Sequence, residues 1–259
     1  HYVGLVSLGG AFFVGVGGYL TALLNTELGV SPLVSIPAAG VLGGVICTTL
    51  LLPCLPLRGV YFAIVTLMYP LFLARVIEAL NILGGTDGIM GIDGVPYVWL
   101  EQYGIIVMLL LILFGLRRLV NTDLGLVMRA VKDNDQAVRA SGMNITHYKA
   151  LAVFIASSVG CLAGACLVHT YMWAGISTFA LDFSILPIAA TVIGGGGTLV
   201  GPVLGCLILV PISELLRDFG TLRIVFYSPI LLGFIVFRSD GLMIYGQRKY
   251  HQFERWTDI

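Results

Sequence analysis

The chain has 259 residues, 58% of them hydrophobic and 11% charged, with a formal net charge of zero. A soluble domain carries about 25% charged residues, so this composition, with a mean hydropathy of +0.98, argues against an ordinary soluble fold and for a bilayer as solvent. Nothing in a neutral chain calls for a nucleic-acid partner.

Lipid offers the backbone no hydrogen bonds, so the spans must be helices or a closed barrel. The apolar runs are long and do not alternate, which selects helices. The expectation is an all-α, polytopic membrane protein, one domain over 1–259, with about eight spans. Its 33 glycines suit close helix packing in a membrane. The chain starts at His1 and enters an apolar run almost at once. No signal peptide with a basic n-region is read, and N-terminal spans are expected to be missing.

The first predicted span covers 3–24 and includes Ser7, Gly9 and Gly10. A polar turn over 25–32 leads to a second span, 35–52, broken by Pro53 and Pro56. The third covers 59–80 and carries Pro70, Arg75 and Glu78. An acidic loop over 81–102 follows, with GGTDG, GIDG and Pro96. The fourth span, 103–116, is short unless its flanks contribute. A polar stretch then runs from 117 to 149, and the fifth span covers 148–171.

The sixth apolar run, 183–193, would be only about 16 Å long, against about 30 Å of hydrocarbon. Starting near Ile176 supplies length but brings in Asp182 and Pro187, which suggests a broken helix lining a cavity. A glycine turn, 194–197, precedes a seventh span over 200–216, with Glu214 at its end. The eighth is 224–237, and a basic tail follows.

Placing 117–149 in the cytoplasm puts eleven basic residues inside: Arg58, Arg117, Arg118, Arg129, Lys132, Arg139, Lys149, Arg238, Arg248, Lys249 and Arg255. Only Arg217 and Arg223 then fall outside, while Arg75 lies within a span. Charge asymmetry thus favours eight crossings with both ends of the chain inside.

The 117–149 stretch holds six of the fourteen Lys and Arg residues. Leu124, Val127, Met128 and Val131 recur at helical spacing, so one face is apolar. Asp123 can cap its start, and the other face carries Arg129, Lys132 and Asp133. A second short helix is expected over 135–141, with Gly142 as its C-terminal cap and Asn144 opening the next span. Pattern alone leaves two readings open: a grip for another protein, or an amphipathic helix lying on anionic lipid.

Within it, QAVRASG (136–142) is similar to the EAAxxxG loop of ABC importer permeases, with Gln for Glu and Val for the second Ala. SLGGAFF (7–13), LRGVYFAIVT (57–66), GTDG (85–88), GPVLG (201–205) and FRSDGL (237–242) keep the motif order of one branch. The chain resembles permeases of the branched-chain amino acid type (LivM-like) over nearly its whole length. The resemblance implies two ABC ATPase subunits docked on the 117–149 coupling segment, through Arg129, Asp133, Gln136, Ala137, Arg139 and Gly142. It also implies a second, related permease subunit and an extracytoplasmic solute-binding protein meeting the outer loops. Family members usually have one or two further N-terminal spans.

Other candidates have bland explanations. The 194–197 glycines lack the Lys-Ser/Thr of a phosphate loop, so no cofactor is expected on this chain, and ATP with Mg belongs to partner chains. Arg75 and Glu78 can pair at i,i+3. Asp182, Glu214 and His169 sit near span ends, where structural roles are expected. The five cysteines form no CxxC pair and read as inert buried thiols. Ser7, Thr66 and Thr191 are polar groups within spans. They can line a translocation path or bond back to their own helices.

The function expected is a plasma (inner) membrane permease, not an enzyme, importing branched-chain or similar hydrophobic amino acids. The alternatives are an importer of urea, short amides or another small solute, and, in another class, an ion-coupled secondary transporter or channel.

Overall fold

The computed structural model describes residues 3–57 and 59–215. They form nine α-helices: α1 (Gly10–Thr26), α2 (Pro32–Leu51), α3 (Val60–Leu80), α4 (Val98–Val120), α5 (Asp123–Asp133), α6 (Asp135–Ala140), α7 (Ile145–Tyr171), α8 (Asp182–Gly194) and α9 (Gly201–Leu215). Two-residue strands β1 (Ile89–Met90) and β2 (Trp173–Ala174) pair antiparallel, Ile89 opposite Ala174. Two compact units are distinguished, His1–Ser184 and Ile185–Ile259.

Among the described residues, five segments have the length and hydropathy of membrane spans, 32–54, 60–80, 98–120, 145–171 and 176–194, and α1 and α9 are shorter apolar helices. These seven coincide with the first seven predicted spans. The eighth, 224–237, lies outside the described residues, as do Arg58, Arg217, Arg223 and the basic tail.

Two boundaries differ from expectation. Residues 5–9 carry no helix, and α1 starts only at Gly10. α4 is longer than predicted because Trp99, Glu101, Arg117 and Arg118 all join the helix. The sixth span is broken as anticipated: a 3-10 turn over Ile176–Phe179 is followed by an extended Ala180 (φ −60°, ψ 140°) before α8.

In the first unit, α1, α2 and α7 pack against one another through small residues, as membrane helices do. A Cβ on Gly17 would run into the Cys161 carbonyl oxygen, and one on Gly164 into that of Val14. Phe12, Phe13, Cys47, Leu51, Phe62 and Cys161 fill the adjoining core. α4 is different, since Val120 is its one buried residue. Leu109, Leu110, Leu111 and Phe114 are exposed along it, a surface suited to lipid. In the second unit, Ala189, Ala190, Ile193 and Leu209 cluster between α8 and α9. There the Gly194 Cα approaches Gly201 so closely that a side chain would strike its carbonyl oxygen. The 194–197 glycines are thus a helix-to-helix turn.

Candidate functional site

The polar stretch folds as two short helices joined at Asn134, whose backbone is extended (φ −154°, ψ 98°). Asn134 ends α5 and caps α6, its side chain accepting from the amides of Gln136 and Ala137 at 3.1 Å each. Gly142 follows α6 with φ +84° and donates its N–H to the Arg139 carbonyl at 3.1 Å. A left-handed residue here closes the short helix and favours glycine. Asn144 then caps α7, accepting from Thr146 and His147. The sequence placed Gly142 and Asn144 correctly, while the cap at Asn134 was missed. It misplaced the cap of α5: Thr122 holds that position without a side-chain cap bond, and Asp123 is the first helical residue. There a carboxylate still complements the helix dipole.

The buried face of this segment comprises Gly125, Met128, Val131 and Val138, joined by Ile145 and by Val3. Leu124, expected on that face, is 41% exposed. Met128 and Val131 are buried and Val127 half-buried as expected, while Gly125 takes the inward place in the first turn, so close to the Val120 carbonyl that no side chain fits. Arg129, Asp133, Gln136, Ala137, Arg139 and Gly142, the six residues expected to meet an ATPase, are all exposed. Asp133 and Gln136 also line a polar cleft of about 280 Å³, together with Gly4, Gly59, Lys132 and Lys149. Lys149 is buried, a placement that nothing in the charge pattern signals.

A strap over residues 3–9 runs from this segment to the helices. Val3 is packed in the coupling-segment core. Gly4 (φ +73°) lies against Lys132, where a Cβ would stand 3.3 Å from its Cα. Further along, the Leu8 amide donates to Thr66 Oγ1 of α3 at 3.0 Å. The Ala11 amide, in the first turn of α1, donates to Ser184 Oγ of α8 at 2.8 Å. These N–H groups have no carbonyl partner at a helix start, and in an apolar setting they need one.

Of the three residues proposed to line a path, Ser7 lies in this strap, outside any helix, and accepts from the Gly9 amide at 3.2 Å. Thr66 is fully buried and bonds back to the Ala63 carbonyl at 2.9 Å while receiving Leu8. Thr191, in the second unit, bonds back to the Pro187 carbonyl at 2.7 Å. Ser7 and Thr66 are therefore brought together through the strap. Ser184 was missed, because its partner lies 173 residues away in sequence.

At the far end of the bundle, His169 is 1% exposed. Its Nδ1 lies 2.7 Å from the Asp93 carbonyl oxygen, which only accepts, so Nδ1 carries the proton. Nε2 then accepts from Ser35 Oγ at 2.8 Å, with Thr21 Oγ1 at 3.1 Å. Asn25 holds the same loop, receiving the Asp93 amide at 2.8 Å. The histidine is structural, as expected, and pins the 81–97 loop to α1, α2 and α7. Arg75 and Glu78 form a surface pair at 2.6 Å, of small energetic weight.

Residues 1–237 match the family described as "Branched-chain amino acid transport system / permease component". The chain belongs to that family. Among curated relatives, it is 27% identical over 271 residues to the high-affinity branched-chain amino acid transport system permease protein LivM of Salmonella typhimurium, covering 93% of this chain and 64% of that protein. It is 26% identical to the probable branched-chain amino acid transport permease protein LivM of Methanocaldococcus jannaschii, covering 93% of this chain and 79% of that one. It is also 33% identical over 162 residues to the xylose/arabinose import permease protein XylH of Sulfolobus acidocaldarius, covering 60% of this chain and 42% of that one. The chain thus spans less than two thirds of the length of the Salmonella relative. No solved structure matches it. Family and membrane-length helices together make it a multi-pass permease-family protein of the plasma (inner) membrane.

Proposed function

We propose that this chain is a transmembrane subunit of an ABC importer, passing branched-chain or similar hydrophobic amino acids inward. ATP is hydrolysed by two separate ATPase subunits, which seat on the exposed side of α5 and α6. A second, related permease chain completes the pathway, and a solute-binding protein delivers the substrate to the opposite face. The ATP and Mg sit on the partner chains, and this chain contributes motion and a path.

The observation that supports this reading best is the build of the polar segment. Its apolar side is buried, its polar side is exposed, and both ends of α6 are capped. A six-residue helix is not stable alone, so caps and core must hold it in place. Through Val3 and the strap, a push on the segment reaches α1 and α3.

The direct test is ATP-driven uptake of labelled leucine, isoleucine and valine by the full complex in vesicles. Uptake of at least one, lost when the ATPase is omitted, is expected. Uptake that persists without ATPase would favour an ion-coupled carrier or channel and sink the reading. The likeness to the Sulfolobus xylose/arabinose permease favours a second reading, import of a small polar solute such as a pentose. Uptake of xylose or arabinose with none of the three amino acids would select it.

A further inference from the structure

Tyr19 stands in α1 where packing alone would ask for phenylalanine. Its ring is 4% exposed and clusters with Ile77 of α3 and Phe179. It stacks on Phe179 with centroids 5.6 Å apart and planes at 23°. Its hydroxyl has no hydrogen-bond partner; among the described residues the one other such buried side-chain atom is Ser158 Oγ. Ser158 is wedged against Gly44 in a tight helix seam. Tyr19 is not confined in that way: its neighbours are side chains of three separate elements. An unpaired buried hydroxyl lowers stability, and phenylalanine would keep each apolar contact without that loss. Such groups are rare enough to need a reason.

The surroundings are tightly packed and belong to the broken span. The Phe179 ring covers Gly15, one turn before Tyr19, so closely that no side chain fits there. Phe179 belongs to the 3-10 turn of the broken sixth span, and Ala180 interrupts the helix just after it. Irregular backbone within a span is tolerated where it is buried in protein or lines a cavity. In transporters, discontinuous helices form substrate sites. The cluster has an aliphatic rim, with Val16, Leu73, Ile89 and Ile176 packed on it.

We propose that Tyr19 is a substrate-contact residue of the translocation path. When the 176–184 segment moves off α1, the phenolic O–H donates to the carboxylate of an amino acid whose aliphatic side chain lies on the rim. This rests on the amino-acid permease reading above. A hydrogen bond from a neutral donor to a carboxylate is charge-assisted and strong in a dry site. It satisfies in the loaded state the hydroxyl left unpaired in the closed one.

The test is Tyr19→Phe in the full complex, with ATPase and binding protein, reconstituted in vesicles. Labelled leucine is supplied on saturating binding protein, and thermal unfolding of the complex is measured in parallel. Uptake more than about fivefold below wild type is expected, with thermal stability equal or higher. A smaller change in uptake overturns the proposal, because the hydroxyl is then a tolerated orphan. Lower thermal stability also overturns it, because the hydroxyl then has a structural partner. A wild-type complex that carries no leucine, isoleucine or valine overturns the amino-acid reading, and this inference with it.

Discussion

Leu8 and Thr66 are joined by a hydrogen bond of 3.0 Å, from a backbone amide before α1 to a side-chain hydroxyl in α3. The same hydroxyl donates to the Ala63 carbonyl, so one oxygen ties the strap to the helix. Thr66→Val keeps the volume but leaves the Leu8 N–H unpaired in an apolar setting, at a cost of about 1–3 kcal/mol. Thermal unfolding in detergent should fall for Thr66→Val and be largely restored by Thr66→Ser. Equal stability of all three proteins would show the bond to be dispensable.

The α1–α7 seam gives a sharper contrast. Gly17→Ala places a methyl group against the Cys161 carbonyl, whereas Gly104→Ala in α4 meets nothing within 4 Å. Overpacking costs about 1–3 kcal/mol, so Gly17→Ala should lower the unfolding temperature. Gly104→Ala should leave it unchanged or raise it, since alanine favours helix. The two variants measured side by side check the seam without reference to transport.

His169→Ala removes one donor and one acceptor together. The Asp93 carbonyl, Ser35 and Thr21 lose their shared partner. Hydrogen exchange over 85–95 should accelerate, while exchange in α5 and α6 at the other end of the bundle should hold. Uniform acceleration throughout the chain would mean that the histidine supports the whole bundle and not the loop alone.

On the polar segment, Gly142→Pro should impair assembly with the ATPase. Proline fixes φ near −65° and has no N–H, while Gly142 needs φ +84° and donates to Arg139. Asn134→Ala is the milder variant, and losing such a cap costs about 1 kcal/mol. Co-purification with the ATPase should fall steeply for the first and modestly for the second. Undiminished co-purification of Gly142→Pro would count against docking on this segment.

Much of this was legible in the sequence because its causes are local. Apolar run length located seven spans, and the side chain of Asn144 and the missing one of Gly142 mark helix ends within a few residues of themselves. The start of α1 was not legible. Residues 5–9 are as apolar as a helix, and what holds them extended are Thr66 and Ser184, far away in sequence. The buried position of Lys149 and the partners of His169 are tertiary facts of the same kind. Leu124 is exposed although it shares the period of Met128 and Val131, because periodicity cannot register that the first turn of α5 seats Gly125 against the Val120 backbone.

The sparse burial of α4 has a consequence for where the protein feels its surroundings. Along this 23-residue helix Val120 is the one buried residue, so few contacts within this chain fix its tilt. Val120 is also the residue on which Gly125 of α5 rests. A span can answer bilayer thickness by tilting, and a tilt of α4 would reach the first turn of the polar segment through this contact.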